Sequence, residues 1–170
     1  NNVVRKITPA GVVSTFAGAG TAGSANGAAT TATFNSPTDV AITPAGVMYV
    51  ADQVNHVIRK IENGQVTTIA GLAGTLGNVD GTGSAARFNQ PSWITLSPDG
   101  TLLIRDGANS ANIRKLDPAT GVVTSFAAGT ASLYSGVGVD SSGLAYAALT
   151  ANTITLISDF DQVNLVGTGT

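Results

Sequence analysis

The chain has 170 residues, with 8 basic and 10 acidic side chains, a formal net charge of −2 and no cysteine. The missing cysteine excludes disulfides and cysteine-based zinc, iron–sulfur or thiol chemistry, and the small net charge lacks the basic surface that nucleic-acid binding needs. Only 11% of the residues are charged, and no apolar stretch approaches the ~18 residues of a membrane span. The abundance of Gly, Thr and Val favours strands over helices.

The first residues, NNVVRKI, lie directly in a strand-like pattern, without an initiator methionine or a signal-peptide pattern. We therefore expect a processed product or a piece of a longer chain. Residues 1–18 predict two strands joined by a turn, which is a β-hairpin pattern. A basic pair followed by an apolar residue recurs at spacings of 54 and 55 residues, as Arg5-Lys6-Ile7, Arg59-Lys60-Ile61 and Arg114-Lys115-Leu116. A fainter fourth hairpin covers 153–169.

A second repeated hairpin lies between these. Residues 34–52 align with 88–106, and more weakly with 133–149. Each copy predicts a strand, a tight turn ending in glycine (Gly46, Gly100 or Gly143) and a second strand. Four short antiparallel strands in every repeat of 40–55 residues are typical of a β-propeller blade.

The sequence therefore predicts an all-β, single-domain β-propeller segment over 1–170, with four-stranded antiparallel blades. About three and a half blades are present: a half blade over 1–18, blades over 34–71 and 88–129, and a degenerate blade over 133–169. Such a segment exposes an apolar blade face and the edge of residues 3–7. Either the chain is part of a longer one, which we favour, or further copies cover these faces.

The stretch PTDVAITPAGVMYVADQVNHVIRKI (37–61) resembles the NHL repeat, and the Gly-rich connection over 70–91 resembles the linker that joins blades in many bacterial NHL proteins. The resemblance implies a propeller fold. It implies no particular activity, because propellers carry unrelated functions.

The first two complete repeats each have an aspartate after the second strand, an asparagine shortly afterwards and an arginine on the facing strand: Asp52, Asn55 and Arg59, then Asp106, Asn109 and Arg114. In the third repeat Leu149 takes the place of the aspartate. Asp and Asn accept backbone N–H bonds in turns, so we interpret them as scaffolding. The arginines can pair with these carboxylates, for on the order of 0–1 kcal/mol each if exposed. A carboxylate-based binding site is the alternative.

The second linker has Asn78, Asp80 and Thr82 at alternating positions, a weak candidate for calcium binding. A twelve-residue calcium loop ends in a bidentate Glu, but the twelfth position here is Asn89. We favour an Asp-Gly turn with Ala85 or Ala86 and Phe88 packed between blades. His56 is the only histidine, which is too few for a usual zinc site, and we expect it to be exposed in its hairpin.

The strongest binding candidates lie where the first strand of each blade starts. The equivalent positions are Asp39, Trp93 and Gly136, which we expect near the mouth of the central channel. An indole beside a carboxylate is a platform for a sugar or a peptide cation. The structural interpretation, in which Trp93 fills a gap between blades and Asp39 caps a turn, is the one we favour over it. Arg105 departs from the repeat, because the parallel residue is Ala51, and it could face solvent or a neighbouring subunit.

The function that these patterns favour is a non-catalytic scaffold or binding module of a secreted or cell-surface protein, with no cofactor and no metal. Its partners are a protein or glycan ligand, or further copies of itself in a polymer or filament, but not nucleic acid. The alternative is a propeller enzyme, a metal-dependent lyase or lactonase with a site at the channel. That site needs several convergent ligands, whereas this sequence offers Asp39, Asp140 and little else.

Overall fold

The computed structural model describes residues 1–107, 112–128, 134–149, 153–157 and 162–165. Within these ranges the chain forms four antiparallel sheets. The strands are, in chain order, β1 (Val4–Ile7), β2 (Val13–Ala17), β3 (Gly27–Ala28), β4 (Pro37–Ile42), β5 (Met48–Asp52), β6 (Val57–Glu62), β7 (Gln65–Ala70), β8 (Gly81–Thr82), β9 (Trp93–Leu96), β10 (Leu102–Asp106), β11 (Asn112–Leu116), β12 (Val122–Ala128), β13 (Tyr134–Val139), β14 (Ala145–Leu149), β15 (Thr153–Ile157) and β16 (Gln162–Leu165).

Each sheet is a meander in which consecutive strands are neighbours. We call β1–β2 the opening hairpin, and β4–β7, β9–β12 and β13–β16 the first, second and third blades. The two linkers each add a two-residue strand at the outer edge of the blade that follows, with β3 paired to β7 and β8 paired to β12. These strands are too short to show alternation in the sequence, and only the structure reveals them.

Glycine closes the turn between the first two strands of each blade, as the sequence predicts. Gly46, Gly100 and Gly143 have φ values of +83°, +84° and +91°, in the left-handed region that glycine adopts without steric cost. The N–H of Gly46 donates to the carbonyl of Thr43 at 2.9 Å. The same three-residue bond recurs in the other two blades.

The core lies between the sheets, in the layers where neighbouring sheets pack face to face. Ala51, Ile58 and Ile94 belong to the cluster that joins the first blade to the second, and Leu103 belongs to the cluster that joins the second to the third. A third cluster joins the opening hairpin to the first blade. Phe34 and Phe88, contributed by the linkers, are fully buried in these layers, which confirms that linker residues pack between blades.

The first strands of the blades lie side by side, β4 against β9 and β9 against β13. The blades therefore radiate from a common centre, with β7 and β12 toward the outside, as in a propeller. Within the residues described above, no helix is long and apolar enough to cross a membrane.

Candidate functional site

Trp93 and Arg105 are direct partners across the β9–β10 ladder, so their side chains share one face of the second blade. This face points toward the third blade, because Leu103, on the same side of β10, packs there. The indole is 44% exposed. The guanidinium of Arg105 is held by its Nη1, which donates to Oγ of Ser92 at 2.9 Å.

Asp39 lies at the neighbouring junction between blades. Its Oδ2 accepts a hydrogen bond from the backbone N–H of Ile94 at 3.0 Å, and its Oδ1 accepts from the N–H of Val40 at 2.9 Å. Ile94 packs against the first blade, so Trp93, its neighbour in the strand, points to the other face of β9. The structure thus brings Trp93 and Arg105 together, whereas the carboxylate of Asp39 bridges β4 to β9.

The Trp93–Arg105 surface combines an exposed aromatic face with a cation. In the described part of the chain, no carboxylate lies within 4.0 Å of the Arg105 guanidinium, and its Nε is buried without a hydrogen-bond partner there. An indole can stack on a sugar ring or a cation, and a guanidinium can donate to hydroxyl or carboxylate oxygens. Gly136, the equivalent residue of the third blade, lies in β13 and brings no side chain.

The repeated aspartate and arginine form buried ion pairs. Nη1 of Arg59 lies 2.9 Å from Oδ2 of Asp52, and both side chains are fully buried. Nη1 of Arg114 lies 3.2 Å from Oδ2 of Asp106 in the same arrangement. The small energetic value that the sequence analysis gives these pairs applied only to exposed pairs, and here the linkers fold back over the arginines and bury them.

Each arginine also holds the linker that precedes its blade. Arg59 donates through Nη1 to the carbonyl of Thr33 at 3.0 Å, and through Nη2 to the carbonyl of Ala25 and to Oδ1 of Asn26. Its guanidinium carbon lies 5.2 Å from the ring centre of Phe34. Arg114 lies 5.5 Å from the ring centre of Phe88 in the same way. We call this arrangement the arginine clamp.

The carboxylates inside the clamps are poorly solvated. Burial raises the pKa of Asp106 from 3.8 to about 6, although the Asn89 N–H and Arg114 oppose the shift. Burial also raises the pKa of Asp52. Asn55 supports this carboxylate, since its Nδ2 donates to Oδ2 of Asp52 at 2.8 Å. The corresponding Asn109 lies outside the described residues.

The calcium candidates of the second linker face a cation. Oδ1 of Asn78 accepts from Nη1 of Arg114 at 2.8 Å, and Oδ1 of Asp80 accepts from Nη2 at 2.7 Å. Burial disfavours the ionised form of Asp80, but hydrogen bonds from Ser125 and Arg114 and the charge of Arg114 outweigh it and lower its pKa. Thr82 lies in β8, opposite Val122. The clamp therefore occupies one side-chain oxygen each of Asn78 and Asp80 with the charge of Arg114.

His56 is half-buried rather than exposed, so that prediction was wrong. It has a left-handed φ of 61°, and its Nδ1 accepts a hydrogen bond from the backbone N–H of Gln90 at 3.1 Å. Burial lowers its pKa. The sequence carries no local signal for this contact, because Gln90 lies in the linker that enters the next blade.

Asp140, the second carboxylate considered for a channel site, belongs to a turn. Its Oδ1 accepts from the N–H and the hydroxyl of Ser142 and from the N–H of Leu144, and its Oδ2 accepts from the hydroxyl of Tyr146. Across the described ranges, no three His, Cys, Asp or Glu side chains converge in a way that could hold a metal ion.

No known protein-family model matches the chain. Mouse teneurin-3 is 28% identical over 92 residues, covering 45% of this chain and 3% of that protein. The structure is similar to that of a gluconolactonase from Xanthomonas campestris, with a TM-score of 0.69 and 17% identity over 96% of this chain and 54% of the other. It is also similar to an auxiliary nutrient binding protein from Bacteroides thetaiotaomicron, with a TM-score of 0.55 and 27% identity over 67% of this chain and 29% of the other.

The chain therefore spans about half or less of the length of these relatives. The solved structures are β-propellers, and this chain has the fold of a partial β-propeller, which confirms the predicted fold class. Its structural neighbours include both enzymes and binding proteins.

Proposed function

We propose that this chain is a non-catalytic NHL-type propeller module of a secreted or cell-surface protein, which binds a protein or glycan ligand at Trp93 and Arg105. The observation that carries the proposal is a departure from the repeat. The equivalent pair in the first blade is Asp39 opposite Ala51, and Ala51 is fully buried. The second blade thus has an exposed indole and a cation where packing requires only a small residue.

The chemistry of this surface suits a sugar ring or a peptide with a carboxylate. Trp93 offers a flat apolar face, and Arg105 offers hydrogen-bond donors beside it. The likeness to an auxiliary nutrient binding protein supports a binding role.

Intrinsic fluorescence tests the proposal directly, because Trp93 is the only tryptophan. We expect saturable changes in its emission on titration with one of three probes: a neutral cello-oligosaccharide, an oligogalacturonate or an acidic peptide. Arg105→Ala should weaken binding of a responsive probe at least tenfold, whereas Lys115→Ala, which removes a cation already paired with Asp99, should change it less than twofold. Equal effects of the two substitutions, or no response to any probe, would overturn the proposed site.

The alternative function is a metal-dependent lyase or lactonase, favoured by the likeness to a gluconolactonase. That chemistry needs metal ligands that converge over the channel. Metal analysis of the purified protein tests it, and stoichiometric zinc or calcium, lost when Asp39 is replaced by Asn, would replace the binding proposal with an enzymatic one.

Further copies of the chain are the other partner that open blade faces permit. Head-to-tail contact between open faces builds polymers or filaments. Size-exclusion chromatography with light scattering measures this directly: a mass that rises with protein concentration supports assembly, and a stable monomer of 16.9 kDa refutes it.

A further inference from the structure

The opening hairpin has the same register as the outer hairpins of the first two blades. Arg5 lies opposite Thr15 and Ile7 opposite Val13, with a bulge after Val4. Arg59 lies opposite Thr68 and Ile61 opposite Val66, with a bulge after Ile58. Arg114, Leu116 and Val123 repeat the pattern in the second blade. The three hairpins can therefore be compared residue by residue.

The comparison shows that one face of the opening hairpin lacks its cover. Ile7 is 67% and Val13 is 50% exposed, whereas Ile61 and Val66 are 3% and 0% exposed. Leu116 and Val123 are buried to the same extent. Within the blades, these positions face the preceding sheet and the linker. The apolar residues of the opening hairpin thus belong to a packing face and not to an ordinary surface.

The arginine of this face also lacks its partners. Arg59 and Arg114 are fully buried in their clamps, each paired with the aspartate that ends the neighbouring strand. Arg5 is exposed, and its Nη1 donates to Oγ1 of Thr15 at 3.1 Å. Among the described residues, no carboxylate lies within 4.0 Å of Arg5. The face therefore carries a positive charge that the blades pair with an aspartate.

The edge beside this face is also open. β1 pairs only with β2, whereas the equivalent β6 pairs with β5 as well. An open cleft runs between β1 and β4, lined by Val4, Arg5 and Val40 among others. Val40 is 39% exposed, whereas its equivalent in the second blade, Ile94, is 4% exposed, because the first blade covers it. In the first and second blades, two further strands of the sheet lie on the inner side of the outer hairpin. By comparison, two strands fit between β1 and β4.

We propose that the open face and edge of the opening hairpin bind an antiparallel β-hairpin whose second strand ends in an aspartate that pairs with Arg5. The second strand of this partner adds to the free edge of β1, which is strand addition to a sheet edge, and its Gly-rich lead-in closes an arginine clamp over Arg5. In a second copy of the chain the hairpins of this type are already paired within their own blades, so a second copy supplies such a hairpin only by opening a blade. The inference is independent of the Trp93–Arg105 site.

The chain itself supplies the probe. All the clamp partners of Arg59 lie within residues 17–54, so a labelled synthetic peptide with the sequence of 17–54 carries the linker, the hairpin and the aspartate. We expect it to bind the full chain saturably. Arg5→Ala in the protein, or Asn in place of the peptide's copy of Asp52, should each weaken binding at least tenfold. Lys6→Ala removes the same charge from the neighbouring position and should change binding less than twofold.

A fused chain provides a second test that does not depend on a free peptide, which can aggregate on its own. Asn1 and Asn2 correspond to Asn55 and His56, since Asn2 and His56 have left-handed φ values of 51° and 61°. A copy of residues 17–54 joined directly to Asn1 therefore reproduces the spacing of the first blade. We expect the fused chain to melt at a higher temperature than the chain alone, and Arg5→Ala to lower the midpoint in the fused chain only.

Three results would overturn the inference. One is the combination of two results: the peptide does not bind, and the fused chain has the same melting temperature as the chain alone. Another is an equal effect of Arg5→Ala and Lys6→Ala. The third is a dimer of the chain alone, detected by light scattering and dissociated by Arg5→Ala, which would assign the face to a second copy. The response of Trp93 to oligosaccharides or to the acidic peptide is measured separately, so failure here does not decide the proposed function.

Discussion

Nδ1 of His56 accepts a hydrogen bond from the backbone N–H of Gln90 at 3.1 Å, and both residues have left-handed φ values, 61° and 60°. The same bond joins Oδ1 of Asn2 to the N–H of Ser36 at 3.0 Å, again with left-handed φ at both residues, 51° and 53°. A side-chain acceptor at the entry to an outer hairpin thus anchors the end of the following linker. The repeat shows that asparagine can do what histidine does.

His56→Asn should leave the free energy of unfolding within about 0.5 kcal/mol of the wild type, because asparagine tolerates left-handed φ and keeps an acceptor. His56→Ala should cost about 1–2 kcal/mol, because the Gln90 N–H loses its partner. Urea denaturation of both variants measures the difference. Equal losses would show that the ring packs rather than accepts a hydrogen bond.

Titration of His56 should give a midpoint below the ordinary 6.5, because burial lowers its pKa. In the window between the folded pKa and 6.5, the unfolded state binds more protons than the folded state, so this group adds stability that is lost as the pH falls. Proton NMR follows the single imidazole directly. His56→Asn should flatten this part of the stability curve, and a midpoint above 6.5 would contradict the burial of the ring.

Asp106 should give the opposite slope at lower pH. Burial raises its pKa to about 6, so between 3.8 and 6 the folded state binds more protons than the unfolded state. The stability that this group contributes is complete below 3.8 and is lost as the pH rises through 6, with an upper bound on the order of 3 kcal/mol. Subtracting the pH–stability curve of Asp106→Asn from that of the wild type isolates the contribution of the Asp106 carboxyl to the free energy of unfolding. A difference that grows with pH would mean that Arg114 outweighs burial.

Arg114→Met should destabilise the protein by about 3–5 kcal/mol, because it leaves the carboxylate of Asp106 buried without a counter-charge. Lys115→Met removes the same charge one residue later, from a surface pair with Asp99 at 3.4 Å, and should cost no more than about 1 kcal/mol. Denaturant midpoints at pH 7 compare the two. Similar costs would show that the clamp contributes little beyond an exposed ion pair.

The sequence predicts the clamp only in part. The recurrence of Asp52 with Arg59 indicates a pair, because a hairpin brings the two residues to facing strands. Their burial depends on Ala25 and Thr33, which belong to the preceding linker, and a strand pattern carries no information about a segment that folds over it. The same limit applies to Asp39, whose bond to the Ile94 N–H joins residues 55 positions apart.

The candidate site follows the same division. The register of the β9–β10 hairpin places Trp93 opposite Arg105, so their proximity follows from local pairing. The separation of Asp39 from the indole depends on which face of β9 each residue contacts, and that is decided by how two blades pack.

The repeat alone determined the strands of the hairpins, the glycine turns and the propeller fold, because alternation and turn chemistry act within one hairpin. The tertiary structure decided which arginines are buried, where the linkers lie and which face of the opening hairpin has no cover. These properties depend on contacts between sheets. Hairpins at equivalent positions of the repeat differ in what packs against them. Arg5 and Arg59 occupy the same position in the repeat, and the neighbouring strand and linker make one an exposed cation and the other a buried clamp.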